Sequence, residues 1–349
     1  MKRRTLLQGT AATLLGAPAL HGFAQQSVTL KFHTFMAPQS NVWLSMHKPW
    51  MEKGEKDSGG RIKFEAYPAM QLGGTPVQLY DQARDGVVDV VWTLPGNTAG
   101  RFPRVEVFEL PFIMTNAEAT SKAYWEYVQT LAPDEFKDTQ VIALQVHGPG
   151  VIHTTEKAVK TVNDMRGLKM RAPTRQVTKL MGALGATPVG MPLPQIPDAL
   201  SKGTIQGCVI PWEVVPSVKV HELTKHHAEF DPAGGSLYTT TFVMAMNKAK
   251  YNSLPPDLKK VIDANSGLQT SGWLGKVQQG GDVAGRKAAV DRGNSIFTVS
   301  AADAQEFRRR SRQIEVEWVE DMNKRGFDGR KLLEGARSLI DKHTKATKA

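Results

Sequence analysis

From Val28 to Phe35 apolar and polar residues alternate, the period-two pattern of a half-buried strand. Behind Ser40 or Asn41 as a cap, Trp43, Met46, Trp50 and Met51 then recur at helical spacing until Gly59-Gly60 stops them. A strand is expected over 61–66 and a loop at Gly73-Gly74. A helix then opens on Thr75 with proline at its first position and runs to Gly86. The pattern predicts a strand over 87–92, a helix over 115–131 and a strand over 141–146. Strands alternating with short helices read as an α/β fold with a parallel or mixed sheet.

The alternation then restarts. A strand over 169–171 ends on Arg171, Thr174 caps a helix ending near Gly185, and a strand covers 187–191. A helix over 194–202 and a strand over 204–210 follow. Residues 83–91 and 200–209 share one plan, a helix end, a glycine and an apolar strand, as two lobes built on similar units would. From Leu254 helical spacing continues to about Val290, interrupted only by glycines, and a helix of that length suits an element lying along both lobes. A strand over 296–299 and two charged helices over 302–325 and 328–343 complete the pattern.

Charge and composition narrow the class. The chain has 349 residues and a formal net charge of +10, enough for two cores and an excess that suits anionic ligands. Lys2, Arg3 and Arg4 supply three of those charges, so a chain lacking its first 24 residues carries about +7. No basic run is interleaved with aromatics, and Arg308, Arg309, Arg310 and Arg312 alternate with acids on a helix, which reads as a solvated face rather than a nucleic-acid surface. The basic start, the apolar run from Thr5 to Leu20 and the small residues at Gly22 and Ala24 predict a secretory signal peptide over 1–24. Either a plain secretory or a twin-arginine route fits Arg3-Arg4. The expected location is the periplasm, with no membrane insertion of the mature chain.

Candidate chemistry is sparse. The sole cysteine, Cys208, lies in an apolar strand and reads as a packed hydrophobe. No nucleophile elbow, phosphate loop or zinc signature is present, and no cofactor is expected. His221, His226 and His227 read as surface histidines rather than metal ligands. Glu109, Glu213 and Asp231 are isolated carboxylates without an assignable partner. By contrast, Phe35, Trp92 and Trp212 each stand at or just past the carboxyl end of a strand, where α/β sheets present ligand crevices; core packing is the plainer alternative. Arg171 has the same placement. An arginine there is either half of a structural ion pair or a planar, permanently charged fork for a carboxylate.

Several short motifs give the chain a family. Gln71-Leu72-Gly73, Gly86-Val87-Val88-Asp89, Glu109-Leu110-Pro111-Phe112, Met165 to Arg171, Leu184 to Val189 and Leu254 to Leu258 stand in the order and spacing of one group. From about Leu30 to Leu339 the chain resembles the solute-binding proteins of tripartite ATP-independent periplasmic (TRAP) transporters, the dicarboxylate-binding-protein class. The resemblance implies a two-lobed periplasmic-binding-protein fold with an interlobe ligand cleft, a hinge of crossing strands and a long helix spanning both lobes. It places lobe I at 25–150 with roughly 240–285 returning to it. Lobe II is expected at 151–239, with roughly 286–345 packing on it and on the spanning helix. It also implies an organic-acid ligand delivered to a membrane permease, and gives Arg171 the role of carboxylate clamp.

Two departures bear on the ligand. Where many relatives carry an asparagine that binds polar ligands, this chain has Ile210, and the segment 147–155 lacks a second arginine. A pocket poorer in polar anchors favours a monocarboxylate with an apolar or aromatic body, such as an aromatic 2-oxo or 2-hydroxy acid. Phe35, Trp92, Ile210 and Trp212 would pack on that body, and Tyr238 or Ser236 would supply a hydroxyl. A dicarboxylate ligand, or an exported enzyme acting on organic acids, are the alternatives.

Overall fold

The computed structural model describes residues 27–348; the expected signal peptide at 1–24 lies outside them. In chain order the strands are β1 (Val28–Thr34), β2 (Ile62–Tyr67), β3 (Val90–Thr93), β4 (Thr139–Val146), β5 (Gly150–Thr154) and β6 (Lys169–Ala172). They continue with β7 (Thr187–Gly190), β8 (Gly207–Pro211), β9 (His226–Phe230), β10 (Thr241–Asn247) and β11 (Ser295–Val299). They form two sheets, ordered β2-β1-β3-β10-β4 and β11-β9-β5-β8-β6-β7.

Each sheet combines parallel pairs with one strand that runs antiparallel to both its neighbours. In the first, β10 inserts antiparallel between β3 and β4. In the second, β5 does so between β8 and β9. Strands buried on both faces read as continuous apolar runs, and the fully buried β10 is one. β3 starts at Val90, three residues later than its pattern suggests. Gly86, at φ +76°, turns the chain, and Val87 is 60% exposed before the backbone enters the sheet.

The chain crosses between the sheets through His147-Gly148-Pro149 and returns through Tyr238–Thr240. The two crossings lie side by side: the Gly150 N–H donates to the Tyr238 carbonyl at 3.0 Å and the Thr239 hydroxyl to the His147 carbonyl at 2.8 Å. A Cβ on Gly150 would collide with the Tyr238 ring, so glycine is required there by the close approach.

Helical residues 256–291 form three helices rather than one, Pro256–Ala264, Gly267–Gly280 and Asp282–Asp291. Gly267 at φ +91° breaks the first junction and Gly281 marks the second. The Gly267–Gly280 helix packs on the Ala117–Leu131 helix and β4, and the Asp282–Asp291 helix packs on the turn after β8. Together they run along both lobes. A Cβ on Gly285 would strike the Trp212 carbonyl, so this helix sits directly on second-lobe backbone. The Ala301–Lys324 helix packs on the Arg175–Ala183 helix of the second lobe. The final helix, Gly329–Lys348, corrects the expectation for 286–345: it packs against Ala117–Leu131 of the first lobe, driven by an apolar stripe that includes Leu332, Ala336 and Ile340.

Candidate ligand-binding site

A cavity lies between the two lobes beside the crossings, the kind of interdomain position that small-molecule sites favour. The first lobe contributes aromatic rings. β1 delivers Phe35 just past its end, β3 delivers Trp92 and β10 delivers Phe242. Trp92 stacks between the other two, with centroids 5.5 Å from Phe35 and 4.3 Å from Phe242. These rings are almost wholly withdrawn from solvent, so the wall is fixed and apolar.

The second lobe contributes charge. Arg171 on β6 is 4% exposed and has no acidic partner within ion-pair distance among the described residues. Its Nε donates to the Met191 carbonyl at 3.0 Å and its Nη1 to the Val209 carbonyl at 3.2 Å. These bonds fix the guanidinium plane and use two of its five N–H groups. Burial without a counter-charge holds it below the usual arginine range, with Tyr238 and Cys208 the nearest groups opposing that. A buried cation with unspent donors is a costly arrangement that an incoming anion relieves. The ion-pair alternative raised by the sequence is absent. Burial also pushes the Cys208 thiol up to about 12, so it is an inert packed side chain.

The crossings supply the remaining wall. Tyr238 is 1% exposed and its hydroxyl has no partner among the described residues. His147 is satisfied on both nitrogens: Nδ1 meets the Gly148 carbonyl at 2.5 Å and Nε2 meets the Thr240 N–H at 3.1 Å. That pattern fixes a neutral ring with the proton on Nδ1, and burial lowers its pKa to about 4.

Of the residues singled out in the sequence, Phe35, Trp92, Arg171, Ile210 and Tyr238 line this one cavity. Trp212 and Ser236 are not in its lining. Trp212 points the other way, donating to Glu229 at 3.0 Å and packing on His153 and His227. The cause is the tight 3₁₀ turn Trp212–Val214, in which successive side chains diverge by about a third of a turn. Glu213, one residue on, faces the cavity instead. The Ser236 hydroxyl is spent on the Tyr238 carbonyl at 3.0 Å.

His147, Glu213, Phe242 and Gln278 were missed as lining residues. Only Glu213 had a legible signal, being adjacent to a strand end already marked as crevice-forming. The surface reading of the histidine cluster fails for His227, which is 2% exposed and sits 2.7 Å from His153, Nδ1 to Nδ1. Among the described residues no group of three or more His, Cys, Asp or Glu side chains could hold a metal ion.

The lobes also touch outside the cavity. Arg175 of the second lobe pairs with Glu106 of the first, and the Gln176 amide donates to the same carboxylate at 2.6 Å. The geometry therefore provides a cavity with one fixed cation and an aromatic wall, set between two lobes that also touch outside it.

Residues 32–321 match the family model described as bacterial extracellular solute-binding protein, family 7. A TRAP solute-binding protein from Rhodoferax ferrireducens T118, solved with copurified benzoate, is 73% identical, with a TM-score of 0.92 over 92% of this chain and 100% of that one. A marine metagenome TRAP solute-binding protein solved with 3-hydroxybenzoate is 50% identical, with a TM-score of 0.89 over 91% and 99%. A third, from Bordetella bronchiseptica with bound mandelate enantiomers, is 28% identical, with a TM-score of 0.82 over 90% and 99%. The chain belongs to the family 7 extracellular solute-binding proteins, the binding components of TRAP transporters.

Proposed function

We propose that this protein captures an aromatic monocarboxylate between its lobes and hands it to a TRAP-type membrane permease, without turning it over. The observation that carries the reading is Arg171, a buried guanidinium with no acid partner among the described residues, in a cavity that has a wall of stacked rings. Its remaining N–H groups suit a carboxylate bidentately, and the Tyr238 hydroxyl stands near it as a further donor. The ligand's ring would lie against Phe35, Trp92 and Phe242.

Ile210 in the lining, where a polar residue would serve a second carboxylate or a sugar hydroxyl, supports one charged end only. The solved relatives that hold benzoate, 3-hydroxybenzoate and mandelate are consistent with this class. Delivery to a permease suits a chain with no helix long and apolar enough to cross a membrane among its described residues, and a periplasmic location follows from the expected signal peptide.

A thermal-shift panel of benzoate, mandelate, succinate and galactonate tests the ligand class. Benzoate or mandelate should raise the melting temperature at concentrations where succinate and galactonate do not. Stabilisation by succinate alone would refute the aromatic reading. Incubation with the bound acid should return it chemically unchanged by mass spectrometry.

A further inference from the structure

Arg171 is one ionisable group of the cavity lining. A second is a carboxyl group with an unmet hydrogen bond. Glu213 is 4% exposed; its Oε1 accepts from Gln278 Nε2 at 2.9 Å, while its Oε2 is buried with no partner among the described residues. Gln278 is itself held, since its Oε1 accepts from Gln145 Nε2 at 2.8 Å and Gln145 Oε1 accepts from Trp92 Nε1 at 3.3 Å. This chain of amides runs from the aromatic wall to Glu213 and fixes the carboxyl in place.

The two groups have different charged neighbours. Tyr238, Cys208 and His147 are the titratable groups that feel Arg171. Glu213 has Asp282 as its charged neighbour, and Asp282 Oδ1 accepts the Glu213 N–H at 2.9 Å. No cation faces Glu213 among the described residues, so a second ligand carboxylate finds nothing there to balance it. Burial raises Glu213 to about 8, with Asp282 adding to the rise and Gln278 opposing it. At neutral pH the group is therefore an uncharged acid, able to donate through Oε2 as well as accept. A bare aromatic ring leaves that atom orphaned, whereas a hydroxyl satisfies it.

We propose that Glu213, positioned by Gln278, hydrogen-bonds a hydroxyl on the ring of the bound acid, so that the preferred ligands are ring-hydroxylated aromatic monocarboxylates. This rests on the aromatic-acid reading of the same cavity. A buried polar site selects strongly against an analogue lacking the matching group, more strongly than an apolar pocket selects by size.

Isothermal titration of the mature protein with benzoate, 3-methylbenzoate, 3-hydroxybenzoate and 4-hydroxybenzoate tests it, methyl and hydroxyl being similar in bulk. At least one hydroxybenzoate should bind about tenfold or more tightly than both benzoate and 3-methylbenzoate. Glu213→Leu should erase that gain, bringing the ratio of hydroxybenzoate to benzoate affinity close to one, and Glu213→Gln, which retains a donor and an acceptor, should preserve most of it. The inference is overturned if hydroxybenzoates and 3-methylbenzoate bind the native protein alike, a comparison that needs no variant to fold. It is also overturned if the gain survives in Glu213→Leu. Failure of benzoate and every other aromatic acid to bind would instead overturn the aromatic-acid reading beneath it.

Discussion

The two walls of the cavity solve opposite problems. The first-lobe wall is a stack of three rings, Phe35, Trp92 and Phe242, continuous with the lobe's own core. The second-lobe wall carries Arg171 and Glu213, two ionisable groups that burial works against. The first wall is stabilised by being buried, and the second is strained by it. Neither wall makes a complete site. On the proposed function, a ligand seated between them would set its ring on the rings and its carboxylate on the cation, and so stabilise the state that binds it.

If that division holds, variants of the two walls should fail in different ways. Trp92→Ala removes a 1%-exposed side chain that the core and the site share. It should cost ~3–5 kcal/mol of folding stability. Chemical denaturation would register this with or without ligand. A stability close to the native value would mean that the rings are a dispensable lining rather than core.

Arg171→Gln should behave in the opposite manner. Ligand affinity should fall by ~2–5 kcal/mol, the cost of truncating one partner of a desolvated charge pair. The apo melting temperature should hold or rise, because an unbalanced buried charge is gone. Calorimetric titration together with apo melting curves reads both. Unchanged affinity removes Arg171 from the site.

Ile210→Asn tests whether the loss of a polar residue set the ligand class. A buried amide without a partner costs ~1–3 kcal/mol. Benzoate affinity should therefore drop, while a more polar acid such as galactonate should gain. Competition binding between the two acids gives the ratio directly.

The smallest effect concerns pH. Glu213 is raised from 4.5 to about 8 and Asp282 from 3.8 to about 7, both by burial. The folded state holds these protons over a range in which the unfolded chain releases them. Their contribution is full below the unfolded values and is lost as pH rises, from 3.8 to about 7 for Asp282 and from 4.5 to about 8 for Glu213. His147 and His227, each lowered from 6.5 to about 4, act in the reverse sense and reduce stability as pH falls from about 6.5 to about 4. Apo stability should peak between these limbs, and Glu213→Gln should flatten the alkaline one. Melting temperatures from pH 4 to 9 would expose an unchanged slope.

Much of the molecule was legible without coordinates, for a local reason. Strand periodicity, glycine stops and proline starts are written within a few residues, and they delivered β1, β6, β8 and the helices between them. Arg171 could be found because a strand end followed by Ala172-Pro173 fixes its own geometry locally. Trp212 was misplaced by a single residue for the same kind of reason: whether position 212 or 213 enters the cleft depends on a 3₁₀ turn that side-chain type does not encode. The supposed continuous helix beyond Leu254 breaks at Gly267 and Gly281 where it must follow two bodies rather than one.

The sequence by itself determined the alternating α/β plan, the family and the arginine that gives the cleft its charge. Only the tertiary structure decided what surrounds that arginine. Phe242 comes from β10, Gln278 from the spanning helix and Tyr238 from a crossing, segments roughly 70 to 110 residues from Arg171 in sequence. Their meeting depends on β10 pairing between β3 and β4, and on two crossings that Gly150 lets approach. Such contacts follow from the closing of the whole chain around two sheets, and no local pattern of apolar and polar residues records them.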